Sequence, residues 1–475
     1  MRDNPALEGA GRVLFVEALA PLRRVRTHRR RAHLVFSAMR HFAAELGDRH
    51  EVVQKRTATF AEALRDEDDV VCAAPNSAGA RRGLERLGVH FVDSNQFLTA
   101  PEVFADWASG RRRLVMEDFY REQRRRFDVL VDENGEPEGG RWNFDADNRR
   151  PARESPSAPA PWQPEEDAID AGVRRDLDAL RGVELWGQDG PRTVAATPAE
   201  ASSALWSFIS ARLAEFGPWQ DAMVSGERVL FHSLLSAPLN LGLLEPLRAV
   251  RSAERAYHRG DAPLQSAEGF IRQILGWREY VWGMYWLRRE QWPRRNALRG
   301  RRAVPAAFWG EPTGWNCLDT VVDGVREDAY AHHIERLMVL GNTMLLAGVK
   351  PWDAVRWFQG SFVDGAEWVM APNAAGMALF ADGGEMMTKP YAAGGNYINR
   401  MSTFCGECQY RPTERTGPAA CPVTALYWDF LVRHRDRLGG NRRMQMPLRN
   451  LDRIDGVELD AIRARAREAR RELGG

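Results

Sequence analysis

Apolar positions in the first hundred residues come in short runs. Residues 12–17 (Arg-Val-Leu-Phe-Val-Glu) read as a buried strand, and shorter strands are predicted at 51–54, 70–74 and 90–92. Between them the spacing turns helical, with Leu34, Val35, Ala38, Phe42 and Leu46 on one face and further helical segments at 61–65 and 81–87. Strands alternating with helices predict an α/β domain with a doubly wound parallel sheet. Residues 111–130 form a charged helix. The stretch 149–163 is dominated by Pro, Ala and Ser, a composition that builds no core and reads as an exposed linker. Beyond Thr197 the pattern is mostly helical. Thr197-Pro-Ala-Glu200 combines an N-cap, a proline in the first turn and the glutamate of a capping box. Helices are predicted at 267–286, 329–346 and 351–359, breaking into a Gly-rich region over 365–395. The predicted organisation is an α/β domain over 1–130, a connector over 131–196 and a larger all-α domain over 197–475.

Charge narrows the functional classes little. Lys+Arg 66 against Asp+Glu 65 leaves a net charge of +1, so a nucleic-acid surface would have to be local. The arginine run at Arg23, Arg24, Arg26, Arg29, Arg30 and Arg31 is expected to be a solvated turn or helix start. No G-x-G-x-x-G follows any predicted strand, so a Rossmann-type dinucleotide site is not indicated. The leading residues 1–12 hold no apolar signal segment, and no apolar run would span a bilayer. Five cysteines in 475 residues do not make a disulfide scaffold, and a reducing cytoplasm is expected.

Those cysteines carry the sharpest chemistry. Cys405-Gly-Glu-Cys408 followed by Cys421-Pro422 is C-x2-C-x12-C-P, with Cys317 upstream. Four thiolates suit a tetrahedral zinc or an iron–sulfur cluster. A zinc ribbon would pair two C-x2-C knuckles and only one exists, so the pattern leans to [4Fe–4S]. The alternative is a buried small hydrophobe at Cys317 and three incidental thiols. His332-His333, one helical turn before Arg336, offers a proton donor that switches near neutral pH, or a structural pair. Tyr391 could add a hydroxyl, or be a buried ring. Ser233 and Ser236, ahead of a predicted helix, would suit an anion.

Taken together, these segments resemble the photolyase–cryptochrome superfamily, and within it the iron–sulfur bacterial branch that includes bacterial (6-4) photolyases. The resemblance is carried by Phe231-His232-Ser233-Leu234-Leu235-Ser236 with Asn240-Leu241-Gly242, and by Phe270-Ile271-Arg272-Gln273 with Trp277-Arg278-Glu279-Tyr280. It extends to His332-His333 with Arg336, to Phe362-Val363-Asp364-Gly365, to Gly139-Gly140-Arg141-Trp142-Asn143-Phe144-Asp145 and to the four cysteines. It implies a helical domain holding a bent FAD. Ser233, Leu235, Ser236 and Asn240 would lie at its phosphates, and Gln273, Arg278, Arg336, Asp364 and Met370 along the flavin. Cys317, Cys405, Cys408 and Cys421 would hold a structural [4Fe–4S] cluster. His332, His333 and Tyr391 would face the lesion, and Trp309 and Trp357 would serve flavin photoreduction. The implied activity is light-driven electron transfer from reduced FAD to a (6-4) lesion flipped out of UV-damaged DNA, by a monomer. A cryptochrome-like FAD photoreceptor without repair is the alternative, and a DNA-binding protein with a structural zinc the third reading.

Three departures matter. The branch's first strand and its Asp-Gln-Leu-like segment have no counterpart in this sequence, and Pro21-Leu22-Arg23 stands where acidic residues are expected. Both changes touch the lumazine antenna region and argue against antenna binding. Met370 stands opposite the expected flavin N5, where a thioether is a poor hydrogen-bonding partner. Phe358 stands where an oxidisable tyrosine would help hole transport, so photoreduction is expected to be slow or rerouted.

Overall fold

The computed structural model describes residues 4–152 and 156–474; residues 1–3 of the leading segment and 153–155 of the predicted linker lie outside the described residues. Strand Arg12–Ala18 pairs in parallel with Glu51–Thr57, in register from Arg12↔Glu51 to Ala18↔Thr57. The helix Arg29–Leu46 connects them and sets Phe42 edge-on against Phe15 at 5.7 Å. Val71–Ala73 pairs in parallel with His90–Val92, and Thr27–His28 with Leu185–Trp186. The parallel sense is as expected, but the doubly wound sheet is not continuous: it is three two-stranded ladders. Among the described residues no strand bridges the first two ladders, and ion pairs tie the first of them to the connector. Glu17 on the first strand accepts from Arg40 (2.7 Å) and Arg56 (2.7 Å), and both arginines also reach Asp176 of the connector helix Ala168–Ala179.

The arginine run is not a solvated turn throughout. Arg23, Arg24 and Arg26 are exposed, but Arg29 pairs with Asp178, Arg30 donates to Pro191 O (3.0 Å) and Arg31 donates to Gly365 O (2.7 Å). Three consecutive guanidiniums thus tie the Arg29–Leu46 helix to the connector and to the helical half.

The predicted capping box forms: Thr197 Oγ1 accepts from Glu200 N–H, and Glu200 Oε2 accepts from the N–H groups of Thr197 and Ala196. Arg192 locks it from outside, with Glu200 at 2.9 Å and Asp170 at 2.8 Å. Residues 156–166 are without secondary structure, although Trp162 packs on the main core. That core runs from Phe104, Phe119 and Tyr120 through the helices to Leu473, so residues before 131 share it with the helical half.

Two helical expectations shift. The predicted helix 329–346 does not start at Ala329, where a left-handed residue (φ 52°) ends the unpredicted helix Asn316–Asp328; helix resumes at His333 and runs through a π turn, Glu335–Gly341. The Gly-rich region is not irregular at its start, because Glu367–Met370 and Ala371–Ala378 are helical. Small residues allow this: Gly376 packs so closely on Met386 and Trp292 that a Cβ would crowd both.

Candidate functional site

The predicted flavin residues divide into two groups. In the first, Arg336 Nη1 donates to both carboxylate oxygens of Asp364 (2.9 and 3.1 Å), the guanidinium lies 4.1 Å from the Phe362 ring, and its Nε donates to Ala331 O (2.6 Å). Asn240 donates to Asp364 O (3.0 Å), which brings the Ser233–Asn240 segment to the same place. Ser233 Oγ accepts from Leu235 N–H (3.3 Å), Leu235 is buried, and Ser236 is exposed between buried neighbours. In the second group Arg278 pairs with Glu279 (2.9 Å), donates to Gln96 O (2.9 Å) and sits over Phe97 (4.1 Å) and Trp368 (5.4 Å). Trp368 is two residues before the buried Met370. Gln273 spends one amide N–H on Gly269 O of its own helix.

His332 is buried and stacks on His232 with ring centroids 4.6 Å apart and planes 13° from parallel. His232 was not singled out by sequence, since only a contact about a hundred residues away gives it meaning. Arg212 donates to His232 O (2.7 Å) and helps hold the stack. Glu335 lies beneath it: its carboxyl accepts from the backbone N–H of His332 (3.1 Å) and comes within 3.6 Å of Nε2. His333 differs from its buried neighbours His332 and Ile334, because its side chain is exposed although protein encloses it. Its ring keeps open surface although the surrounding protein is dense. Burial pulls His232 down to about 3 and His332 well below the ordinary range. Enclosure, helped by Arg336, pulls His333 down to about 4, so the expected switch near neutral pH does not hold for the unliganded pocket. Burial pushes Glu335 up to about 8.

Does FAD fit these residues? Nε2 of His232 and both ring nitrogens of His332 are buried without a hydrogen-bond partner, a costly state that a polar ligand would relieve. They adjoin an open face at His333 and one fixed ion pair, and the set fits the group.

Tyr391 stands apart. It is half-buried, no hydrogen bond or ring contact joins it to His332 or His333 among the described residues, and the charges acting on it are Arg149, Arg443, Asp145 and Asp221. It therefore belongs with the Gly139–Asp145 segment. Glu268 anchors that segment by accepting from Phe144 N–H (3.2 Å) and Tyr120 OH (3.0 Å), and Arg272 bridges Glu268 to Asp145.

The four cysteines converge. Cys317 is on the Asn316–Asp328 helix, Cys405 and Cys408 flank a turn, and Cys421 precedes the Pro422–Leu438 helix; together they line one cavity with Trp315, Phe404 and Tyr410. The other three thiols all act on Cys317, and burial pushes Cys405 up to about 12. Tetrahedral zinc with bonds of about 2.3 Å would hold its sulfurs about 3.8 Å apart. No three of these sulfurs lie within 4.8 Å of one another. That spread is too wide for one ion and suits a larger cluster.

Trp357 is buried and donates to Phe308 O (3.1 Å), while Trp309 is half-buried beneath Arg26. Both touch Trp186, a residue the sequence did not single out.

Comparison with known proteins defines the class first. A bacterial class III photolyase from Agrobacterium tumefaciens superimposes with a TM-score of 0.54, covering 99% of this chain and 95% of that one at 15% identity, a likeness of fold. The family described as deoxyribodipyrimidine photo-lyase-related protein matches residues 2–188. An uncharacterised protein of Acanthamoeba polyphaga mimivirus is 30% identical over 109 residues, 23% of this chain and 81% of its own length. The fold is thus that of a photolyase. A (6-4) photolyase of Agrobacterium fabrum is 42% identical over 98% of this chain and 96% of its own, and the chain belongs to the (6-4) photolyase family.

Proposed function

We propose that this chain is a light-dependent DNA-repair lyase that reverses (6-4) pyrimidine–pyrimidone photoproducts with FAD. The observation that carries the reading is the Arg336–Asp364 pair, joined through Asn240 to the Ser233–Ser236 segment and set beside the open face of His333. When bound and reduced, FAD supplies a light-driven electron. Ser233, Leu235, Ser236 and Asn240 would hold its phosphate end, and Arg336, Asp364, Arg278, Gln273 and Met370 its flavin end. His333, with its open face, would hold the proton that the lesion takes up, and His332, buried and stacked on His232, would back it. Tyr391 and Arg149 at the Gly139–Asp145 segment would receive the flipped nucleotide at the rim. Cys317, Cys405, Cys408 and Cys421 would hold a [4Fe–4S] cluster that cross-links three helical segments, which their wide spacing supports. The division at 1–130, 131–196 and 197–475 is our reading of the organisation. A cytoplasmic location and a monomeric state are part of the same proposal, and no helix of the described residues is long and apolar enough to cross a membrane.

The test is illumination of a (6-4)-containing oligonucleotide with the dithionite-reduced protein. Repair by the native protein is expected, and His333→Ala should lose about 10²- to 10⁴-fold in rate, the usual worth of a positioned acid. Undiminished repair in that variant removes the histidine's role. A flavoprotein that repairs nothing supports the cryptochrome-like photoreceptor, the reading for which Phe358 and Met370 leave room.

A further inference from the structure

The two tryptophans expected to feed electrons to the flavin have no ring contact with each other among the described residues. Trp186 stands between them, its ring centroid 5.1 Å from Trp309 and 6.5 Å from Trp357. On the inner side Trp357 meets Phe362 edge-on at 5.7 Å, and Phe362 lies under the Arg336 guanidinium at 4.1 Å. The other rings against Trp357 are Phe358 at 5.0 Å and Phe308 at 5.4 Å, and phenylalanine does not oxidise readily enough to relay a hole. On the outer side Trp309 is half-buried, with the exposed Arg26–Glu184 pair (2.9 Å) at its edge. We propose that Trp186 is the middle relay of a three-tryptophan chain, Trp309–Trp186–Trp357, that carries electrons from the protein surface to the flavin pocket. The inference rests on the flavin-binding reading above and adds the route by which this chain reduces its cofactor.

Local structure explains why the relay sits there. The two-residue ladder sets Trp186 directly opposite His28, and the rings meet at 5.2 Å. Gly187 follows with φ 76°, and any Cβ there would drive into the His28 ring, so the turn needs glycine. His28 accepts from Arg30 N–H at Nδ1 (3.1 Å) and donates from Nε2 to Arg326 O (3.0 Å), and burial holds it at about 4. Both its nitrogens are occupied, so His28 cannot take a proton from its neighbour. The Trp186 indole N–H is itself buried with no acceptor. A hole on Trp186 therefore has nowhere to lose a proton and must move on, the property a relay needs. Trp309 borders solvent and can release its Nε1 proton to water. The balance for each photon is one electron out of Trp309, through Trp186 and Trp357, into the flavin. Trp309 then loses one proton, and the neutral indolyl radical takes a hydrogen atom from an external thiol, which becomes a thiyl radical.

The test compares native, Trp186→Phe and Trp186→Tyr proteins, flavin-loaded and in their oxidised form. Each is placed under anaerobic blue light with excess thiol, and flavin bleaching and the transient indolyl absorption are followed. Trp186→Phe should lose photoreduction and the long-lived radical, and Trp186→Tyr, which still oxidises, should retain both in part. Thermal midpoints, and repair by dithionite-reduced protein that bypasses the chain, should match native. Native-rate photoreduction in Trp186→Phe overturns the proposal. So does equal loss in the Phe and Tyr variants at matched thermal midpoints, which would mark a packing role. If Trp186→Phe does not fold, Trp309→Phe takes its place, and a surviving long-lived surface radical overturns the chain. A native protein that holds no flavin overturns the reading beneath it, and that is read before any variant is made.

Discussion

Glu335 offers a sharp test of how the pocket is built. The residue is 7% exposed, its carboxyl accepts from the His332 backbone, and among the described residues no arginine or lysine lies within ion-pair distance. Burial raises it from the ordinary 4.5 to about 8. Ionising it in the folded protein would therefore cost about 5 kcal/mol, at 1.36 kcal/mol for each pH unit of that gap. Because the folded value is raised, the folded state binds more protons than the unfolded chain between pH 4.5 and about 8. Stability from this group is full below pH 4.5 and is lost as pH rises through about 8. Glu335→Gln keeps the size and the acceptor for His332 N–H but removes the titration. Relative to native, the variant should gain about 3 kcal/mol between pH 5.5 and pH 9, the part of the gap inside that window. Urea unfolding followed by tryptophan fluorescence, run on both proteins in paired buffers, reads the difference as the shift in midpoint at matched slope. Parallel pH profiles for the two proteins would refute the buried neutral acid.

Further outcomes follow from other parts of the molecule. Cys405→Ser should yield iron-free, poorly folded protein, because metal-binding energy at such a site is folding energy; iron analysis with circular dichroism checks it, and a well-folded, iron-free product would count against a structural cluster. Arg192→Met leaves Asp170 buried without its cation and should cost about 3–5 kcal/mol in urea unfolding, whereas a loss below 1 kcal/mol would show the pair to be screened. Damaged-DNA affinity should fall as salt rises, and Arg443→Ala at the Tyr391 rim should lower the slope of log K against log salt by about 1 in fluorescence anisotropy; an unchanged slope removes Arg443 from the interface.

What could be read from the sequence was what is local along the chain. The Thr197–Glu200 box and the C-x2-C pair depend on residues within a few positions, and both appear where spacing placed them. Parallel strand pairing was legible from alternation, but continuity of the sheet was not, since it depends on which strands become neighbours. Arg29, Arg30 and Arg31 looked like a solvated run because a charge pattern does not show that Pro191, Gly365 and Asp178 come round to meet it. Trp186 was invisible for the same reason: its partners lie at positions 28, 309 and 357. Tyr391 was placed with the histidines by motif alone, and its electrostatic neighbours are instead those of the Gly139–Asp145 segment.

The protonation pattern explains why the histidine pair could not be read as a neutral-pH switch. His232, His332 and His333 are all held neutral at pH 7 by enclosure, and Glu335 is held mostly protonated. The charges around them are the Arg336–Asp364 pair and the Arg212 guanidinium on His232 O. In such a pocket an imidazole at about 4 gains a proton readily only when negative charge arrives beside it. Flavin phosphates, a reduced flavin and a damaged strand all bring negative charge. The charged form of His333 should therefore be made by binding, and its apparent pKa, read by NMR of the ring, should rise on adding (6-4) DNA to the flavin-loaded protein. A ring that titrates at about 4 in both states would leave the proton to another group, and His333 would then position the lesion without protonating it.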